Sequence, residues 1–345
     1  MKPLTVGALC AGYGGIELGL RNILDTEMVW FSDICPGSDK VIKERFGNIP
    51  NLGDLTEISQ QLFEPEKVDI VTAGFPCQPV SDGGLRKGVN DERWLISDVC
   101  KVARLAGARY LLLENVGAIL TANNGEAMGR VCEAMAENGY IRWEWITLRA
   151  CDVGAPHRRL RWFCVATNDD EPGRKEICGL LRANRGRQTA ERSEGNSKRA
   201  GSSNTLKTSS DSYSKGSEGQ HTRSRLRETS EKESSPGGSN VGDSGGRLGK
   251  YKEYGPAIGR WETVLNREVP DDLTYHHENG SVKVSPEFIE WMMGVPPGWV
   301  TDVDLSYTRK LELLGNGVVP QQAERAYAIL LERVTSNEET NKESN

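Results

Sequence analysis

From the first strand-like run to about residue 168, the chain alternates short apolar runs with longer amphipathic ones, and few architectures accept that rhythm. "TVGALC", "MVWFSD", "VDIVTAG", "RYLLLENV" and "LRWFCVAT" read as strands, while "IELGLRNIL", "DERWLISDVCKVARLAG" and "GEAMGRVCEAMAENG" read as amphipathic helices. Strands separated by helices pair in parallel through crossovers, so the expected fold is α/β, a doubly wound, mostly parallel sheet of Rossmann-like type. In such sheets ligands collect outside the carboxyl ends of the strands. The residues that follow each strand are therefore the place to look for chemistry.

"ALCAGYGGIELGL", residues 8 to 20, sets Gly12, Gly14 and Gly15 between a strand and a helix, where backbone can approach a ligand closely. It is not a G-x-G-x-x-G fingerprint, because Glu17 stands where the third glycine would fall. That argues against NAD or FAD and leaves another adenosine cofactor open. Asp33 ends the next strand, 18 residues after Gly15, where a carboxylate can accept hydrogen bonds from ribose hydroxyls. Asp54, in "GDL", suits an adenine amino group or a simple turn.

"TAGFPCQPVSDGG" puts Cys77 just past a third strand, between Pro76 and Gln78, neither of which belongs in a packed core. The thiol is either a small buried hydrophobe or a nucleophile. "LLLENV" ends a fourth strand with Glu114 and Asn115, and a carboxylate after three leucines is costly to bury without a partner. A thiolate beside a carboxyl group that carries a proton is a nucleophile and acid pair. "GAPHRRLRWF" sets Arg159 and Arg161 two apart at a strand's start, on one face, which suits phosphate, a base edge or a solvated basic edge. His157 reads as a turn residue.

The 345 residues allow roughly two domains at about 150 residues each. The net charge of -6 is unevenly spread: residues 170 to 260 hold 18 Lys and Arg against 12 Asp and Glu, leaving 25 against 37 elsewhere. A local basic segment matters more for phosphate binding than the total. All 8 cysteines lie at or before Cys178, with no C-x-x-C pair and no zinc-spaced cluster, so neither disulfide scaffold nor metal is expected. No apolar run approaches about 18 residues, so no membrane span is expected and the chain reads as cytoplasmic.

Residues 183 to 250 are dominated by Ser, Gly, Asn, Thr, Arg, Lys and Glu and are expected to be partly disordered or to order on nucleic acid. Order returns at "YGPAIGRWETVL". Ser285 caps a helix with Pro286 at its first position and Gly294 past its end. A last helix, "PQQAERAYAILLERV", follows "LLGNGVVP", and 336 to 345 form a polar tail.

"AGYGG", "GFPCQPVS", "ENV", "APHRRLR" and "LLGNGV", in that order and with "SPEFIEWMMGVPPGW" before the last, resemble the motifs of the DNA (cytosine-5) methyltransferase family of bacteria and phages. The resemblance covers about residues 4 to 168 and 255 to 335. It implies a methyltransferase fold that binds S-adenosylmethionine, with residues 1 to 168 catalytic, 169 to 284 target-recognising, and 285 to 335 returning to the catalytic domain. It implies Cys77 as the nucleophile that adds to carbon 6 of a flipped cytosine, Glu114 as the acid at ring nitrogen 3, and Arg161 and Arg159 steadying base and phosphate.

The same resemblance implies cofactor contacts from Cys10, Ala11, Gly12, Tyr13, Gly14 and Gly15, then Asp33, Ile34, Asp54, Leu55, Pro76, Leu95, Asn316 and Val318. Gln78, Ser81 and Arg93 are the implied DNA contacts. The implied partner is double-stranded DNA, bound by a monomer, with a cognate restriction endonuclease as a further candidate partner. Cys10 departs from the family's phenylalanine and His157 from its glutamine, and 169 to 255 is unusually poor in apolar residues. A tRNA cytosine-5 methyltransferase and a catalytically silent DNA-binding protein remain as alternatives.

Overall fold

The computed structural model describes residues 2–60, 65–76, 95–168, 247–276 and 280–336. Six strands form one sheet: β1 (Leu4–Leu9), β2 (Thr26–Ser32), β3 (Ile70–Gly74), β4 (Tyr110–Val116), β5 (Arg142–Arg149) and β6 (Leu160–Thr167). Their order is β2-β1-β3-β4-β6-β5. β1, β2, β3 and β4 pair in parallel, and β6 lies antiparallel to both β4 and β5. The α/β, mostly parallel reading therefore holds, with β6 as the one reversed strand of the sheet. That reversal matters: the amino-terminal end of β6 lies at the same edge as the carboxyl ends of the other five.

The central strands are buried on both faces. β3 reads Ile-Val-Thr-Ala-Gly and β4 Tyr-Leu-Leu-Leu-Glu-Asn-Val, and all but the last residue of each is buried, as expected of inner parallel strands. One apolar layer joins Val71, Leu111 and Leu113 to α4 (Ile96–Leu105) and α5 (Glu126–Glu137). The opposite layer joins Val6, Ile70 and Leu112 to α1 (Gly15–Leu20) and to the last helix, α9 (Pro320–Ser336), through Ala323, Ala326, Tyr327 and Leu330. So the C-terminal helix folds back onto the first strands. Gly19 permits the approach, since a Cβ there would stand 2.4 Å from the Pro320 carbonyl oxygen.

A third cluster packs the remaining helices: α6 (Gly255–Leu265) supplies Trp261, α7 (Pro286–Met292) supplies Trp291, and α8 (Tyr307–Asn316) supplies Leu313 and Leu314. Ser285 caps α7 as expected, accepting the Phe288 N–H at 3.0 Å, and Gly294 follows with φ of 68°. Buried Glu290 accepts the backbone N–H groups of Gly298, Val300 and Thr301 at 2.7, 2.7 and 3.1 Å, which fixes the turn that carries Trp299.

Several elements differ from the sequence reading. β5 is an unexpected strand: it is an edge strand whose Arg142 and Glu144 alternate with Trp143 and Trp145, so no apolar run announces it. The helices α2 (Pro36–Phe46) and α3 (Leu55–Ser59), and the exposed hairpin of β7 (Thr274–His276) with β8 (Val282–Val284), were also unannounced. Residues 247 to 250, placed by composition in the low-complexity stretch, open a run of 3₁₀ turns over Arg247–Tyr254. The rest of that stretch and residues 337 to 345 lie outside the described residues. Among the described residues no helix is long and apolar enough to cross a membrane, and no group of three or more His, Cys, Asp and Glu is placed to hold a metal.

Candidate active site

One cavity of about 630 Å³ opens along the sheet edge where β1 to β4 end and β6 begins. It sits at the point where successive strands depart to opposite sides of β1, the usual ligand crevice of such sheets. Its walls include Cys10, Ala11, Gly12, Gly15, Asp33, Ile34, Asp54, Leu55, Pro76, Leu95, Glu114, Arg159, Arg161, Asn316 and Val318. Residues from five strand ends and the C-terminal segment thus converge on one space.

The glycine turn and Asp33 form one end. Gly12 takes φ of 57°, with nothing within 4 Å of a Cβ built there, so at that position backbone conformation rather than crowding calls for glycine. The Gly12 N–H donates to Asp33 Oδ2 at 2.8 Å, and the Cys35 N–H donates to Asp33 Oδ1 at 2.8 Å. Each carboxylate oxygen has a second lone pair, and Asp33 lines the cavity. Asp54 caps α3, its Oδ1 accepting the Thr56 N–H at 2.9 Å. Burial pushes the Cys10 thiol up to about 12, with the negative charges of Asp33 and Asp54 adding to it, so Cys10 is a neutral wall. Ile34 is 76 % exposed at the rim.

Glu114 and the two arginines form the other end. β4 delivers Glu114 outward in register with Gly74 of β3, and antiparallel β6 brings Arg161 opposite Val116. Arg161 Nε meets Glu114 Oε1 at 2.8 Å. Burial holds the Glu114 carboxyl above its ordinary range, and the positive charges of Arg161 and Arg159 oppose that shift. Burial, with the neighbouring Arg161 charge, lowers Arg159 to about 10, while Glu114 pulls it back up. Arg159 Nη2 donates to the Gly317 carbonyl at 2.7 Å, tying β6 to the C-terminal loop. Gly74 lies beside Glu114 on the cavity wall, where a Cβ would make ordinary contact with Glu114 Oε2 at 3.4 Å.

Cys77, Gln78, Ser81 and Arg93 lie outside the described residues. The segment that leads to Cys77 is nonetheless anchored: Asn115 Nδ2 donates to the Phe75 carbonyl at 3.0 Å, and Asn115 Oδ1 accepts the Val116 N–H at 2.8 Å. Tyr13 and Gly14 stand behind the wall rather than on it. The Tyr13 side chain is fully buried and does not line the cavity. His157 is a turn residue, donating from Nε2 to the Met292 carbonyl at 3.1 Å. Glu312, Gly315 and Gly317 also line the cavity; the two glycines flank Asn316 in "LLGNGV", whereas nothing local marks Glu312, which the return of α8 brings there.

The donor set fits a charged adenosine thioether: a glycine turn, two carboxylates for hydroxyl, amino and cationic groups, and aliphatic Ile34, Leu55 and Leu95 for a purine. A family model described as C-5 cytosine-specific DNA methylase matches residues 4–330. The type II methyltransferase M.CviJI of Paramecium bursaria Chlorella virus IL3A is 36% identical over 163 residues, 47% of this chain and 42% of that protein. M.HpaII of Haemophilus parainfluenzae is 33% identical over 48% of this chain and 46% of its own length, and M.HhaI of Haemophilus parahaemolyticus 31% identical over 47% and 48%. The chain thus spans about half the length of the curated relatives it matches.

Proposed function

Because the chain belongs to the C-5 cytosine-specific DNA methylase family, we propose that it methylates carbon 5 of cytosine in double-stranded DNA, with S-adenosylmethionine as the donor. The observation that carries this reading is the Glu114 and Arg161 pair in the same cavity as the glycine turn and Asp33. Bound S-adenosylmethionine would supply the electrophilic methyl group that carbon 5 takes.

The chain's own residues do the rest. The Cys77 thiolate forms a bond to carbon 6 of the target ring, and Glu114 gives a proton to ring nitrogen 3, so the electron pair gathers at carbon 5 instead of as charge on nitrogen. A carboxyl group held above its ordinary range by burial is suited to carry that proton. Arg161 holds Glu114 in place, and Arg159 holds the loop beside it. After methylation, loss of the carbon 5 proton to a base in solution restores the ring double bond and expels the Cys77 thiolate, and the ring nitrogen 3 proton returns to the Glu114 carboxylate, leaving neutral 5-methylcytosine. A base inside duplex DNA cannot reach such a cavity, so the target must be flipped out.

Residues 169 to 284, which contain the basic stretch 170 to 260, are the proposed target-recognition region, with Gln78, Ser81 and Arg93 as further DNA contacts. The test is transfer of labelled methyl from S-adenosylmethionine to unmethylated duplex DNA of varied sequence, run beside tRNA, with the modified base identified. The reading expects 5-methylcytosine in DNA alone. Label in tRNA alone would overturn the substrate, and label in neither would overturn the activity.

A further inference from the structure

Tyr13 sits in the middle of the glycine turn yet shows no surface to the cavity. Its hydroxyl donates to the Val318 carbonyl at 2.5 Å across the whole span of the chain. The ring is the floor on which the loop rests: a Cβ on Gly317 would meet Tyr13 Cε1 at 2.0 Å, and one on Gly15 would meet the Val318 oxygen at 2.6 Å. The backbone of Tyr13 is held in turn, because Trp299 Nε1 donates to the Tyr13 carbonyl at 2.8 Å.

The next carbonyl in that loop, Gly317, is the one that Arg159 holds. Two adjacent carbonyls of the 316 to 318 wall are therefore gripped from opposite ends of the cavity, by the cofactor turn and by the catalytic arginine. We propose that Tyr13 is a positioning residue that sets the cofactor wall by fixing the Asn316 to Val318 loop, rather than a contact to the cofactor itself. This rests on the reading of the cavity as a cofactor site. Burial also raises the phenol far above its ordinary range, so the hydroxyl remains a donor at every working pH.

The test is calorimetric titration of the full-length protein with S-adenosylhomocysteine, beside thermal unfolding without ligand, for wild type, Tyr13→Phe and Tyr140→Phe. Tyr140 gives the control: an equally buried hydroxyl, donating to the Ala108 carbonyl at 2.9 Å at the far end of the sheet. Loss of one such bond from the wall is expected to weaken binding on the order of tenfold in Tyr13→Phe. Tyr140→Phe should match its drop in unfolding temperature with no change in affinity.

Should Tyr13→Phe not fold, Gly317→Ala drives the same ring and loop apart and is expected to weaken binding at least as much. Equal affinities in Tyr13→Phe and wild type, with only the unfolding temperature changed, would overturn the proposal. Wild type that binds no S-adenosylhomocysteine would instead overturn the cofactor reading on which it rests.

Discussion

The two ends of the cavity are built differently. The proposed cofactor end is made of consecutive strand-to-helix turns: Gly12 lies between β1 and α1, Asp33 directly follows β2, and Asp54 directly precedes α3. The base end is made by reversal: β6 runs against its neighbours and so delivers Arg159 and Arg161 to Glu114. The proposed cofactor end thus combines the backbone of the glycine turn with two carboxylates that are fixed by neighbouring backbone N–H groups. The base end is a set of side-chain charges, each of which depends on the others being present.

Glu114→Gln should separate the two ends most sharply. It keeps volume but removes the proposed proton carrier and the charge facing Arg161, so turnover should fall by about 10² to 10⁴ while S-adenosylhomocysteine affinity stays within about twofold. Parallel loss of affinity in calorimetry would mean that the two ends are not separable. Asp33→Asn is the converse. Its carboxylate accepts two backbone N–H groups, and the amide can accept only through its oxygen, so affinity should weaken by about tenfold or more with a smaller effect on turnover at saturation.

Glu17, on α1 behind the glycine turn, tests the packing away from the cavity wall. It is buried, accepts the Thr72 hydroxyl through Oε1, and leaves Oε2 without a partner. Burial raises its pKa above the ordinary 4.5, so the folded state binds its proton more tightly than the unfolded one. The stability it contributes is complete below 4.5 and is lost as pH rises through the folded value. Unfolding midpoints of Glu17→Gln should therefore equal wild type at low pH and exceed it increasingly toward neutral. A pH-independent difference would contradict this. Ser285→Ala, outside the cavity, should cost about 1 kcal/mol, or roughly 2–4 °C, and leave affinity and turnover unchanged.

What could be read from the sequence follows the same division. Gly12, Asp33 and Glu114 were legible because a strand, its end and its following residue are adjacent in the chain. Ser285 and Pro286 announced their helix for the same reason. The Tyr13 hydrogen bond could not be read from the sequence, because its partner, Val318, lies at the other end of the chain. Asn115 was visible at a strand's end, but its clamp on Phe75 needs the β3 and β4 pairing. β5 escaped notice because an edge strand need bury only part of each face, so its charged residues break the apolar pattern.

The central claim is that Cys77 attacks a cytosine and that proton loss from carbon 5 frees it again. It is tested most directly by incubating wild type and Cys77→Ser with S-adenosylmethionine and duplex DNA of randomised sequence containing 5-fluorocytosine. Fluorine cannot leave as the proton does, so the account predicts a denaturation-resistant protein and DNA complex with wild type and none with Cys77→Ser. Wild-type protein that methylates ordinary DNA yet forms no such complex, or a complex that survives in Cys77→Ser, would contradict it.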